Sequence, residues 1–473
     1  MDNKSLEAQN FTCKSIAIYR IGDDEKPFAN ITQLVTHFQY HEDIMKPCYA
    51  GELVVRDNKD NLISSMPIQG WEKVVVSVEK DEVQYDYEFR IWTIANRVTT
   101  DRRQAYTLGL MSESGLLNEG VRVNRIVKGE TSTAIRKMLK EYLNVPEEKI
   151  FTEPSASNIK LLPTKKSPFS VIREIQTKTV STNTTAPDTQ KWKSTAKDEQ
   201  ITSDSSGYTK SSDLDIAEAT KAKGTAGYLF FQTYRGFAFR SIDSLCSTSE
   251  EFSGVGPVES YTYSPGKTPY EDKTKIQEII FTSEVNMMKK MREGAYSSLV
   301  CFFNINTGTY DEYIYSLADT WKDMIHMGSQ DQLPAGQTKL SQYPTRVMSS
   351  VIDNEKWYNG VESGEEKGDF LDLQKHYLSQ SHSRIGILFN HQVTISVPGQ
   401  LQLVAGDKIE IFIPNQLSEE EYPDQEPWDD DSSGVYLIKN LNHQFNITGQ
   451  EVFTVLDLVR DSKGVKRNAK PKE

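Results

Sequence analysis

The sequence predicts a β-rich α+β chain in which one antiparallel sheet-forming unit occurs twice, and three observations predict it. Val74, Val76 and Val78 alternate with Lys73, Val75, Ser77 and Glu79. Tyr87, Phe89 and Ile91, then Tyr106, Leu108 and Leu110, repeat that period of two, the mark of half-buried strands. The same alternation returns near the end of the chain, through VTISVPGQLQLVAGDKIEIFIPN and on to Arg460. Between the two β regions lies a section with helical periodicity.

The two β regions can be laid over each other. Gly70–Val78 matches the pattern of Gly406–Ile413: a glycine turn, charged residues, then branched apolar residues at every second position. Downstream, Tyr87–Ile94 followed by Ala105–Met111 parallels Val435–Leu441 followed by Glu451–Val459. An acidic stretch, SEEEYPDQEPWDDDSSG, separates the first two strands of the second copy. Three chains closed into a ring would then present six similar units, so that threefold symmetry becomes pseudo-sixfold.

In GETSTAIRKMLKEYLN, Ile135, Met138, Leu139 and Tyr142 fall on one helical face, with Thr131 or Ser132 as the expected cap and Pro146 beyond the end. A second helix is expected from Ser167-Pro168, burying Phe169, Ile172 and Ile175. Residues 178–227 are dominated by Ser, Thr, Lys, Asp and Ala. Such a segment buries too little apolar surface to offset its ordering entropy, and is expected to be a loose surface insertion. YLFFQTYRGFAFRSIDSL follows as a hairpin turning at Tyr234-Arg235-Gly236. A mixed region, 294–381, interrupts the second β region, and a basic tail, 463–473, ends the sequence.

With 54 basic and 67 acidic residues the formal charge is −13, which argues against a phosphate-gripping nucleic-acid binder. Cys13, Cys48, Cys246 and Cys301 are far apart, with no C-x-x-C pair, so neither a disulfide framework nor a zinc ribbon is expected. The first residues are polar and lack the apolar core of a signal peptide, and no long apolar run suggests a membrane span. A soluble protein made in a cytoplasm is expected.

Taken with the repeat, the VPGQLQLVAGDKIEIFIPN stretch, the GVYLIKNLNHQF strand pair and the YLFFQTYRGFAFRSIDSL hairpin resemble the baseplate central hub protein of contractile-tailed phages (myoviruses), over about residues 15–462. The resemblance implies two tube-type β-barrel or sheet domains in one chain, with helical and mixed insertions, forming a homotrimeric ring. On that pattern the first tube-type domain spans 1–125. A helical and mixed domain spans 126–275, with the 178–227 insertion and a hairpin at 228–245. The second tube-type domain comprises 276–293 and 382–462, split by a peripheral domain at 294–381. The implied partners are the central spike, the tail tube protein, and the tape-measure and baseplate wedge proteins. Viral DNA would pass through the lumen without specific binding, in a virion tail assembled in the host cytoplasm. Carboxylates lining that lumen would repel DNA, and Glu72, Glu79, Glu88 and Glu410 are the strand residues nominated for it.

Enzyme motifs are missing from the sequence: no G-x-S-x-G, H-E-x-x-H, Walker A loop or G-x-G-x-x-G. Gly254-Val255-Gly256 precedes proline and reads as a turn. His37 and His41, beside Glu42 and Asp43, would suggest a metal site only on a helix, and otherwise read as polar positions near a sheet edge. The acidic run 419–431 offers hard oxygens but no EF-hand spacing. No catalytic, cofactor or metal residue is therefore nominated. The alternatives carried forward are a tail-associated peptidoglycan hydrolase, a receptor-binding adhesin that uses the aromatic hairpin, and a trimeric spike of a related injection machine.

Overall fold

The computed structural model describes residues 8–57, 63, 67–100, 103–181, 209–210, 225–248, 256–263, 273–283, 286–305, 308–328, 343–352, 357–358, 369–415 and 428–464. The bulk of the 178–227 insertion, the acidic 416–427 stretch, Gly254-Val255 and the basic tail beyond 464 lie outside the described residues.

Seven strands open the chain: β1 (Thr12–Arg20), β2 (Asp23–Asn30), β3 (Val35–Asp43), β4 (Ala50–Asp57), β5 (Lys73–Lys80), β6 (Val83–Thr100) and β7 (Arg103–Met111). They lie side by side in the order β2-β1-β5-β6-β7-β4-β3, antiparallel at every step. The period of two decides which face is buried. Val74, Val76 and Val78, then Phe89 and Ile91, then Leu108 and Leu110 all turn to the core and lose essentially all exposure.

A mixed section follows: α1 (Glu113–Gly120), β8 (Val127–Glu130), α2 (Thr131–Leu143), β9 (Ile150–Thr152), β10 (Asn158–Leu161) and α3 (Pro168–Gln176). Helix α2 buries Ile135, Met138 and Leu139 and stops at Asn144, which adopts a left-handed conformation. Its N-cap position is Glu130 rather than Thr131 or Ser132, because both hydroxyls are used elsewhere. Thr131 Oγ1 donates to Ser155 Oγ at 2.7 Å and Ser132 Oγ to the Glu153 carbonyl at 2.5 Å. Ser167 stands at the N-cap of α3 with Pro168 behind it, and Phe169, Ile172 and Ile175 are buried.

The two mouths of the polar insertion are tied together: Val180 bridges Ala226, and Ser181 N–H donates to the Thr225 carbonyl at 3.1 Å. A short strand within it, β11 (Thr209–Lys210), pairs with Tyr313 and Ile314 of this same chain. The hairpin is β12 (Tyr228–Thr233) and β13 (Gly236–Ser241), followed by α4 (Ile242–Cys246). Its strand aromatics are not exposed, although Tyr234 at the turn is. Tyr228, Phe230, Phe231, Phe237 and Phe239 are all buried, because the hairpin is sandwiched between α3 and the second β region.

The second β region contributes β14 (Glu259–Tyr263), β15 (Lys275–Ile276) and β16 (Glu278–Ser283). An excursion then builds α5 (Met287–Glu293), β17 (Ser297–Asn304), β18 (Thr309–Ser316), α6 (Leu317–Thr320), β19 (Arg346–Ile352), β20 (Trp357–Tyr358) and α7 (Asp369–Leu388). The chain returns with β21 (His391–Pro398), β22 (Lys408–Phe412), β23 (Gly434–Asn446) and β24 (Glu451–Arg460). Strands β14 and β15 belong to the large sheet, so this unit begins at Glu259, upstream of the expected 276. Both are too short to print an alternating pattern on the sequence.

The seven sheet strands of this second unit lie in the order β15-β14-β22-β23-β24-β21-β16. Numbered from one to seven within each unit, both read 2-1-5-6-7-4-3. The excursion falls between the third and fourth strands. Two pairings differ: β1 runs antiparallel to both β2 and β5, whereas β14 runs parallel to both β15 and β22.

Hydrogen bonds set the register of the repeat. Trp71 N–H donates to the Ile91 carbonyl at 2.7 Å, and Gly406 N–H donates to the Ile438 carbonyl at 2.9 Å. Trp71, not Gly70, is therefore the counterpart of Gly406, one residue from the alignment suggested by sequence pattern. Glu72 and Asp407 follow, and each carboxylate accepts from the backbone N–H three residues back, at Gln69 and Val404. The β6–β7 ladder slips between Ile91 and Thr93, and the β23–β24 ladder slips between Ile438 and Asn440, which is the same place. A bulge retained at one position in both copies is a feature of the unit rather than a local accident. One continuous apolar cluster draws on both units, from Val74 and Phe89 to Ile395, Ile411 and Leu456.

Candidate assembly joint between the two units

Strand β23 is long enough to serve two neighbours along one edge. Gly434–Leu437 pair with β22, Asn440–Asn446 pair with β3, and the opposite edge is taken by β24. The third strand of the first unit is thus laid antiparallel onto the sixth strand of the second, and the two units form one 14-stranded sheet. Phe38 sits opposite Phe445 in this register, and their rings stack at 5.1 Å. Tyr40 sits opposite His443, stacked at 6.0 Å. Such cross-strand aromatic pairs add to the ladder hydrogen bonds and fix the register.

Glu42 lies at the end of this joint and is buried. Its Oε1 accepts from Tyr40 OH at 2.6 Å and from Tyr234 N–H at 2.5 Å, and its Oε2 accepts from Ala405 N–H at 2.7 Å. One carboxylate therefore joins the first unit, the hairpin turn and the loop leading into β22. Burial raises its pKa to about 7 and outweighs the three donors, with Asp407 nearby adding to the rise. Next to it, Arg235 grips Asp407 through two bonds of 3.0 Å. Lys408 is buried beside α4 and donates to the Leu245 and Ser247 carbonyls at 3.0 and 2.6 Å. Its pKa is pushed down to about 8 by burial.

A second polar bolt lies behind the joint. Arg384 on α7 is fully buried and donates to Asp461 Oδ2 at 2.9 Å and to Asp243 Oδ1 at 3.1 Å. Asp461 also takes His326 Nδ1 at 2.8 Å and Met327 N–H at 3.0 Å. Burial alone would raise the Asp461 carboxyl, but His326, Arg384 and the Met327 N–H hold it well below the usual range. Burial dominates at Asp243, whose carboxyl is raised despite the same arginine. The bolt connects the excursion, the hairpin helix α4 and the end of β24.

The nominated carboxylates do not form one set. Glu72 is buried and caps the turn before β5 through Gln69 and Gly70 N–H. Glu79 and Glu88 lie on the solvent face of the sheet, paired with Lys14 at 2.7 Å and Lys73 at 3.3 Å. Glu410 is half-buried on the corresponding face of β22, 3.3 Å from Ser260 Oγ. Two of the three outward carboxylates are thus matched by lysines, which cuts the field they could project.

His37 and His41 lie on β3, between β4 and β23 rather than near a sheet edge, and roughly 13 Å apart by strand rise. That is too far to share a metal. Among the described residues no group of three His, Cys, Asp or Glu side chains is placed to hold a metal ion. No described helix is long and apolar enough to cross a membrane. Glu42, Arg384 and Asp461 went unremarked in the sequence, where each is one charged residue among many. A charged residue at a core-facing position of an alternating strand was the available signal for Glu42.

No family model matches the chain, and no curated protein matches it. Solved structures do. A tail protein from Neisseria meningitidis MC58 matches at 11% identity and a TM-score of 0.49, covering 96% of this chain and 97% of that one. The chain is similar to phage tail proteins. The prophage MuSo2 43 kDa tail protein from Shewanella oneidensis matches at 7% identity and a TM-score of 0.47, over 94% and 98% of the two chains. An E. coli type VI secretion component, described as structurally similar to T4 bacteriophage tail proteins, matches at 9% and 0.40, over 93% and 76%.

Proposed function

We propose that this protein is the structural hub of a contractile-tail baseplate, a homotrimeric ring that joins a threefold central spike to a sixfold tail tube. The observation that carries the reading is the recurrence of one strand order, 2-1-5-6-7-4-3, in two units merged edge to edge through β3 and β23. A chain with two such units supplies six wall segments from three copies, which is what a threefold-to-sixfold adaptor requires. On this reading the ring seats the spike, starts tube stacking, meets tape-measure and wedge proteins at its periphery, and passes viral DNA without specific binding. It acts mechanically rather than as an enzyme, within the virion tail. Burial of Tyr228, Phe230, Phe231, Phe237 and Phe239 takes most of the hairpin's aromatic surface away from an adhesin role.

Solution mass tests the proposal. Light scattering on the full chain should give three times the 53.7 kDa chain mass alone, or that mass plus the bound spike when the spike is present. A monomer under both conditions, at concentrations of tens of micromolar, would overturn it.

A further inference from the structure

The repeat register says where one copy should meet the next, and this inference rests on the ring reading above. Within the chain, the third strand of unit one lies on the sixth strand of unit two. The counterparts of those strands, β16 and β6, are both left open. Strand β16 pairs with β21 on one side, and among the described residues no strand occupies its other side. The β5 ladder on β6 ends near Ile91, and no described strand pairs with that edge from Trp92 to Thr100.

Both open edges carry exposed apolar side chains: Ile280 at 50% and Phe281 at 40% on β16, Trp92 at 54% and Val98 at 61% on β6. Unpaired strand edges with apolar residues are templates for pairing with another chain, and proteins that remain single usually blunt them.

We propose that β16 of one copy adds antiparallel to the second half of β6 in the next copy, with Ile280 opposite Val98. The register follows from partners already fixed. Phe38 pairs with Leu53 as Ile279 pairs with Ile395, so Gln39 corresponds to Ile280. Gln444 pairs with Phe453 as Val98 pairs with Ala105, once the extra residue at the Ala95–Val98 bulge is counted. Gln39 faces Gln444 inside the chain, so Ile280 faces Val98 between chains. By the same steps Ile279 meets Thr99 and Glu278 meets Thr100. The contact is head-to-tail, and three copies close it into a ring in which internal and external joints alternate.

Paired cysteines test the register. In the full chain carrying Val98→Cys and Ile280→Cys, directly opposed positions fall within disulfide reach. Mild oxidation should give a non-reducing gel ladder that ends at three linked chains. Either single variant should give none, despite the four native cysteines. A three-chain mass in solution without crosslinking overturns this strand pairing and leaves the ring standing, whereas a monomeric mass, alone and with the spike, overturns both. Charge exchange gives a second measurement. Val98→Asp and Ile280→Lys should each weaken self-association at least tenfold, and one chain carrying both should recover it. Assembly of both single variants at the wild-type concentration overturns the proposal.

Discussion

The Glu42 carboxylate accepts the Ala405 N–H at 2.7 Å across 363 residues of sequence, tying the first unit to the loop that starts the strand β22 of the second. Burial raises the Glu42 pKa from 4.5 to about 7, so the fold holds a proton that the unfolded chain releases. The stability this group contributes is fully present below about pH 4.5 and is lost as pH rises through 7, on the order of 3 kcal/mol in total. Replacing Glu42 by Gln keeps a carbonyl acceptor and removes the titration. Urea midpoints measured from pH 5 to 8 should fall with pH in the wild type and stay flatter in Glu42→Gln. Equal slopes would show that this carboxyl is not the titrating group.

Arg384 bridges two buried aspartates and is itself fully buried. Arg384→Met takes the shared guanidinium from Asp243 and Asp461, leaving only His326 beside Asp461, a loss of about 3–5 kcal/mol for one partner of a buried pair. Chemical denaturation should show it, and adding Asp461→Asn should restore part of the loss by removing one uncompensated charge. If the single variant unfolds at the wild-type midpoint, the bolt contributes nothing.

The sheet was legible where strands are long and bury one face only, as in Val74–Val78 or Tyr87–Ile91, because alternation then survives in the sequence. The repeat was visible for the same reason, although glycine matched to glycine put it one residue out of register. Trp71 adopts the left-handed backbone that Gly406 adopts, and a tryptophan does not announce a positive φ. Strands β14 and β15 were invisible because five and two residues are too few for a period. The adhesin alternative needed the hairpin aromatics exposed, and the sequence shows their apolar character but not what covers them. Glu42 and Arg384 escaped notice because their importance comes from partners far along the chain, which no local pattern encodes.

His443 sits opposite Tyr40 in the joint and shares a bond of 2.9 Å between Nδ1 and Thr454 Oγ1. Burial, helped by His41, lowers its pKa from 6.5 to about 3, so the fold holds it neutral. With a depressed histidine the sign is opposite to that of Glu42. The contribution is complete above pH 6.5 and is lost as pH falls towards 3, by a few kcal/mol. His443→Gln keeps a polar partner for Thr454 without titrating. Acid unfolding followed by circular dichroism should begin at lower pH in this variant. An unchanged acid midpoint would place the proton uptake elsewhere.

Gly406 and Trp71 let backbone strain be separated from packing. Both hold positive φ, 89° and 83°, at equivalent points of the repeat. Left-handed backbone costs an ordinary residue about 1–2 kcal/mol, and the first unit carries that cost at Trp71. A Cβ at Gly406 would also lie 2.7 Å from the Phe231 ring, which the hairpin lays over this turn in the second unit. Gly406→Ala should therefore cost more than backbone strain alone, about 2–4 kcal/mol when overlap is added. Phe231→Leu in the same chain should recover part of the overlap but none of the strain, giving a double-mutant coupling above about 0.5 kcal/mol. Strictly additive urea midpoints for the two substitutions would mean that the ring does not press on the turn and that strain alone selects glycine there.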